Sequence, residues 1–272
     1  MVILTELTKI FKKEKKMKIS LKKLLFVVLT IFSVIFIGAC GKSNIDKKEV
    51  IEKFIAASES TKSGDMLVNM KMTQNQNGNK SDMEMTMNVS LILEPIAMKM
   101  EMEMPAQNLK MTSFIKDNTM YIQNPVDNQW FKQSLTDEIA SQFKGYMTNS
   151  AVIYDAMRNN IDKIDIDEKG GNYIISISKD SEFLKDAMKQ QLASTNTAGA
   201  QIGDDVKIEN IAVKYIVDKN TYLESSSTVS FDFEMQGMKM SMEMDAKMSN
   251  INNVTDIVIP EEVLNAKEIP HQ

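Results

Sequence analysis

Cysteine occurs once in the 272 residues, at Cys40, and histidine once, at His271. A single thiol excludes an internal disulfide. A lone histidine beside the C-terminus excludes a His-based catalytic triad or an imidazole metal site in the body of the chain. There is no G-x-S-x-G motif and no Gly-rich loop of the kind that cradles phosphates. Ser141-Gln142-Phe143-Lys144 matches S-x-x-K, but the companion S-D-N and K-T-G motifs are missing, so it reads as a chance match on a helix. Asp162, Asp165, Asp167 and Glu168 cluster at a spacing that fits no calcium loop, and an exposed strand edge explains them. Paired carboxylates for glycoside chemistry need no local motif, and nothing in the sequence points to them. These absences argue against an enzyme and against a bound cofactor.

What is present begins with a leader. Lys18, Lys22 and Lys23 precede an uncharged apolar run of fourteen residues, Leu24 to Ile37, and Gly38 and Ala39 then supply small side chains for a processing cut. This is the layout of a secretory signal peptide over residues 1–39, with Met17 as a candidate true start. A membrane-spanning helix needs about 20 apolar residues, and this run stops short. The ending Ile37-Gly38-Ala39-Cys40-Gly41 resembles the lipobox of bacterial lipoproteins, although that family usually has Leu where Ile37 stands. The resemblance implies cleavage before Cys40, a diacylglyceryl group on its thiol and a tether over residues 40–45. The chain is then expected at the cell membrane, lipid-anchored on the extracellular face, since two or more acyl chains hold where one is marginal. Removing the leader takes eight lysines and two acids (Glu6 and Glu14) from 32 basic and 37 acidic residues, leaving a formal charge of −11. That charge disfavours nucleic acid as a partner.

The remaining sequence is dominated by alternation. Asp46 with Glu49 reads as a capping box opening a helix from Asp46 to Thr61, ended near Gly64, with Val50, Ile51, Phe54 and Ile55 on one face. Beyond it, Met70 and Met72, then Met83, Met85 and Met87, then Met98, Met100, Met102 and Met104 alternate with polar residues. Near the end, Met238, Met240, Met242 and Met244 do the same. Period two places each set on one face of a strand, and Asn77-Gly78 is a strong hairpin signal. Further strands are expected over 109–116, 119–123, 129–133, 161–167, 172–178, 206–218 and 221–236. Helices are expected over 134–147 and 151–159, and in a stretch capped by Asp180. Residues 194–205 read as a polar, exposed loop.

A large sheet with one apolar face cannot stay exposed to water, and the helices between strand groups supply a cover. The expected fold class is α+β, a curled antiparallel half-barrel sheet of about eleven strands with three or four helices over its concave face. It forms a single domain over 46–269. This resembles the half-barrel of the bacterial lipoprotein carriers (the Lol type) and the mycobacterial cell-wall lipoproteins. It is most similar to an uncharacterised lipoprotein family of Gram-positive bacteria. The similarity rests on the helix after Cys40, the Asn77-Gly78 hairpin, the stretch Asp218-Lys219-Asn220-Thr221-Tyr222-Leu223 and the ending from Asn253 to Val263. It implies an apolar cavity between sheet and helices. It does not imply shuttling between membranes, because an anchored Cys40 departs from the soluble carriers.

Of the 23 methionines, two fall in the leader, and the rest admit three readings. They are a packed core, since Met is an unbranched gap filler; or a wall for a flexible apolar ligand such as an acyl chain; or soft thioether ligands for copper(I). Cores that specify one shape favour Leu, Ile and Val, which raises the second reading. The expected function is a non-enzymatic envelope lipoprotein binding a lipid or similar ligand. An envelope sensor acting through an unidentified protein partner is the alternative.

Overall fold

The computed structural model describes residues 45–76, 79–136, 151–179, 181–194, 207–235 and 238–269. The leader, Cys40, most of the expected 134–147 helix, Asp180, the loop from 195 to 206 and His271 lie outside the described residues.

Helix α1 (Lys47–Glu59) starts as its sequence dictates. The Asp46 carboxylate accepts from the backbone N–H of Lys48 and Glu49 at 3.0 and 3.1 Å, satisfying two otherwise orphaned donors. Glu49 pairs with Lys53 at 2.6 Å, one turn along the helix. Val50, Ile51, Phe54 and Ile55 are buried together, as their spacing requires. The helix ends before Gly64, which belongs to the first strand. A Cβ at Gly64 would meet the Ser249 carbonyl and Ile251 at ordinary contact distances, so this glycine is a strand residue and not a helix stop.

The strands follow as β1 (Ser63–Gln76), β2 (Asn79–Leu93), β3 (Ile96–Met104), β4 (Leu109–Lys116), β5 (Thr119–Gln123) and β6 (Trp130–Ser134). Helix α2 (Ala151–Arg158) precedes β7 (Ile164–Lys169) and β8 (Asn172–Ile177). A 3-10 turn over Ile161–Lys163 occupies the start of the stretch expected to be strand. Helix α3 (Glu182–Ser194) is followed by β9 (Lys207–Asp218), β10 (Glu224–Met235), β11 (Met238–Ser249), the single turn α4 (Glu261–Leu264) and β12 (Lys267–Glu268).

All twelve strands form one open, curled sheet in the order β12-β6-β5-β4-β3-β2-β1-β11-β10-β9-β8-β7. Every neighbouring pair is antiparallel except β12 with β6. Two meanders, β1 to β6 and β7 to β11, therefore join along a single seam where β1 pairs with β11. The architecture is the expected curled antiparallel sheet with helices, with one strand more than counted. The extra strand is two residues long and carries no alternation. The acidic group on β7 sits at the sheet edge: Ile164 and Ile166 turn inward while Asp165, Asp167 and Glu168 are exposed. Charge on an edge blunts pairing with another chain.

One face of the sheet carries the main core. Helices α1, α2 and α3 bury Phe54, Tyr154, Met157, Leu184 and Met188 in the same apolar cluster as the inward residues of the strands. The opposite face carries a smaller cluster, formed where the C-terminal segment straps across β3 to β6. Ile257, Val263 and Ala266 pack there with Ala97, Phe114 and Tyr121. Lys116 pins the strap by reaching the Asp256 carboxylate at 2.6 Å and the Ile257 carbonyl at 2.9 Å. No described helix is long and apolar enough to cross a membrane.

Candidate functional site

Strand register assembles the methionines into a lattice. Met70 stands opposite Met85 on one side and Met244 on the other, and Met72 stands opposite Met83 and Met242. Met87 faces Met102, which faces Met111 on β4. Met98 and Met100 face Leu91 and Val89, and Met104 faces Leu109. Met240 faces Phe233 on β10, and Met242 faces Phe231. Side chains opposite one another in an antiparallel pair have Cβ atoms about 5 Å apart. The thioethers thus line one continuous wall across β11, β1, β2 and β3.

Ten of the thirteen methionines singled out by the sequence are buried, and Met83, Met100 and Met238 are partly exposed while packed against the same cluster. All thirteen are brought onto one face. Gln74 also turns toward this wall at one end, donating its amide N–H to the Met238 sulfur at 3.2 Å. Sequence reasoning missed Met66 and Met111, which belong to the same wall and are buried. Met66 was legible, since it extends the alternation of Val68, Met70 and Met72 by one step.

The other face of these strands is polar. Asp82 accepts from the Thr73 hydroxyl at 2.8 Å and pairs with Lys71 at 3.2 Å, and both contacts hold its carboxyl below the usual carboxylate range. Thr228 donates to Asp245 at 2.8 Å, and Lys110 pairs with Glu103 at 2.6 Å. The alternation read from the sequence is therefore real: sulfur inward, charge outward.

Further along the inner face lies a polar group that alternation does not predict. On β10, Ser227, Val229, Phe231 and Phe233 point inward, so continuing the period of two sends Ser225 inward and Glu224 to solvent. The pairing with β9 slips between Glu224 and Ser226: Glu224 stands opposite Val217, while Ser226 stands opposite Ile216. This bulge leaves Ser225 exposed, with its hydroxyl on the Ile216 carbonyl at 3.0 Å, and rotates Glu224 into the interior. A bulge re-aims side chains in this way. The turn just before it is fixed by Asp218, whose carboxylate accepts from the backbone N–H of Asn220 and Thr221, both at 2.9 Å. Those two donors hold the Asp218 carboxyl below its ordinary range.

Glu224 retains 7% of its exposure and Ser227 4%. Neither Glu224 carboxyl oxygen nor the Ser227 hydroxyl has a hydrogen-bond partner among the described residues. Burial pushes the Glu224 carboxyl well above the usual carboxylate range. The nearby Ser227 hydroxyl opposes that rise but lacks hydrogen-bond geometry to the carboxyl. Tyr215 stands opposite Ser227 on β9 and is fully buried. Its phenol is pushed up by burial and by its neighbours Glu224 and Tyr154. No group of three or more His, Cys, Asp or Glu among the described residues has an arrangement that would hold a metal ion.

Solved structures with distant likeness exist. The Mycobacterium tuberculosis lipoprotein LppX is similar over 79% of this chain and 100% of its own, at 8% identity and a TM-score of 0.39. A putative outer membrane lipoprotein-sorting protein domain from Vibrio parahaemolyticus covers 80% of this chain and 96% of its own, at 10% identity and a TM-score of 0.28. A LolA superfamily protein from Nitrosomonas europaea covers 79% and 96%, at 10% identity and a TM-score of 0.25. Likenesses this distant carry no statement about ligand or activity. No curated protein matches the chain. A family model matches residues 46–268, from the cap of α1 to the end of β12, and the chain belongs to that family, described as a family of unknown function (DUF6612).

Proposed function

We propose that this is a non-enzymatic lipoprotein of the cell envelope, tethered through lipid on Cys40, whose inner sheet face holds a flexible apolar ligand such as an acyl chain. The observation that supports it is the chemistry of the wall. Four adjacent strands fill their inward positions largely with methionine, where a core built only for packing draws on branched side chains. Met has three rotatable bonds and a polarizable sulfur, and re-packs around guests of different shape. Burying each such side chain contributes on the order of 2 kcal/mol whether its neighbour is protein or ligand. A guest on this wall therefore keeps the apolar contact that a solid core supplies.

Native mass spectrometry of the protein extracted from membranes tests this directly. Lipid held noncovalently, beyond any group attached to Cys40, is the expected result, and protein that carries none overturns the ligand proposal. Replacing Cys40 by Ser tests the tether separately. The variant is expected to leave the membrane fraction or to remain unprocessed, whereas processed protein retained on the membrane refutes the anchor.

A second reading draws on the register. The six thioethers of Met70, Met72, Met83, Met85, Met242 and Met244 stand as cross-strand neighbours, and soft sulfur donors favour copper(I). The same mass measurement separates the readings, since bound copper without lipid supports this one.

A further inference from the structure

The polar group at Glu224 lies on the same inner face as the methionine wall, and the register states how the two connect. A single row of inward residues runs Tyr215, Ser227, Ala246, Val68, Met87, Met102 across β9, β10, β11, β1, β2 and β3. From Ser227 to Met87 is three strand spacings of about 4.8 Å each, or roughly 14 Å. Between them stand Ala246 and Val68, both smaller than the methionines beyond them. An apolar chain laid along this row from the methionines brings its end to Glu224 and Ser227.

Those two residues are built to receive something. An unpaired buried polar group costs about 1–3 kcal/mol, yet here a carboxyl and a hydroxyl, both more than nine-tenths buried, lack partners within the described chain. Their placement is specific, because a bulge at Ser225 turns Glu224 inward when regular strand geometry would have left it in water. The charge environment selects the partner. Burial is the main influence on Glu224 and disfavours its ionised form, and no cation among the described residues offsets that. A protonated carboxyl donates one hydrogen bond and accepts others, and a serine hydroxyl does the same. An anionic headgroup brought here meets no counter-charge among these residues, and its desolvation is left uncompensated.

We propose that Glu224 and Ser227 form the seat for an uncharged hydrogen-bonding group, a hydroxyl or an ester carbonyl, at the polar end of the ligand whose apolar part lies on the methionine wall. This rests on the function proposed above and adds the class of headgroup: neutral lipids of the diacylglycerol type are taken in preference to phosphate-bearing ones.

The test uses the full mature protein, stripped of lipid, with pyrene as a purely apolar fluorescent probe of the wall. Dioleoylglycerol and dioleoylphosphatidic acid, dispersed in the same way, serve as competitors. The wild type is expected to bind pyrene and to release it to dioleoylglycerol at a concentration at least about tenfold lower than to the phosphatidic acid. Glu224→Gln, which still donates and accepts, is expected to keep this preference within about threefold. Glu224→Leu is expected to weaken dioleoylglycerol about tenfold more than it changes pyrene binding, and Ser227→Ala to weaken dioleoylglycerol severalfold. Circular dichroism and thermal unfolding report whether each variant folds. The apolar replacement removes a buried unpaired carboxyl and is expected to fold at least as well as the wild type. Equal affinity of the wild type and Glu224→Leu for dioleoylglycerol overturns the headgroup seat while leaving the wall intact. A wild type that binds neither pyrene nor dioleoylglycerol overturns the wall reading and this inference with it.

Discussion

Two stretches of one sheet face contribute to the same core and are built of different material. On β7, β8 and β9 the inward positions are Ile164, Ile166, Ile175, Ile177, Ile208, Ile211, Val213 and Val217, all branched at Cβ, together with Tyr173 and Tyr215, and all are buried. On β11, β1, β2 and β3 they are mainly methionine. Branched side chains are locked at χ1 and specify one packing, whereas methionine accepts many. Helix α3 lies against β9 in the stiff half, and α2 lies against both α1 and α3. The stiff half thus seats α3, and methionine makes the other half the softer part of the same core. Burial by itself does not distinguish a plain core from the binding wall proposed above, and the stiffness of the buried side chains is where the two stretches differ.

The contrast can be broken at several points, taken here from the largest effect to the smallest. Ile175→Ala, in the centre of the stiff half, is expected to cost about 2–5 kcal/mol of unfolding free energy in a denaturant titration. A cost below about 1 kcal/mol would mean that this half is not tightly packed.

Glu224 sits on β10, between the two halves, and gives a pH signature. Its folded carboxyl titrates above its unfolded value, so the native state holds a proton that the unfolded chain has already released. Stability is then unimpaired below the unfolded carboxylate range and falls as pH rises from about 4, by up to about 1.4 kcal/mol per pH unit, until the folded carboxyl itself ionises. Glu224→Gln is expected to remove that decline, so the variant gains on the wild type at pH 8 and the difference closes toward pH 4. Parallel stability curves for the two proteins would contradict this.

Exchanging Met70, Met85 and Met244 together for Leu keeps volume and apolarity. Each change is expected to cost less than about 1.5 kcal/mol, while the range of apolar guests the protein binds narrows. Unaltered binding to short and long, straight and branched chains alike would show that softness is not what the methionines provide. The smallest effect belongs to the outer side of the same strands. Lys71→Ala removes an exposed ion pair with Asp82 and is expected to leave the melting temperature within error.

Much of this was legible before any fold was known. The strand faces followed from alternation, the first hairpin from Asn77-Gly78, and the start of α1 from Asp46, because each is a property of a few neighbouring residues. Glu224 was not legible, since its orientation depends on where the β9 pairing slips, and a slip is visible only when two strands are aligned. The strap across β3 to β6 escaped for a related reason. In the sequence Ile257 and Val263 belong to an ending with no alternation to place them, and only the fold shows that Ala97, Phe114 and Tyr121 offer them an outward-facing patch.

By itself, the sequence determined which side of each strand is oily and which is charged, because a period of two is built into the extended backbone. The tertiary structure alone decided that the early and late methionine strands are neighbours, through the pairing of Asp65 with Ser249 and onward to Asn75 with Lys239. No local signal encodes that seam. It forms because a single curled sheet buries all the oily faces under one set of helices, a gain available only once the whole chain is in place.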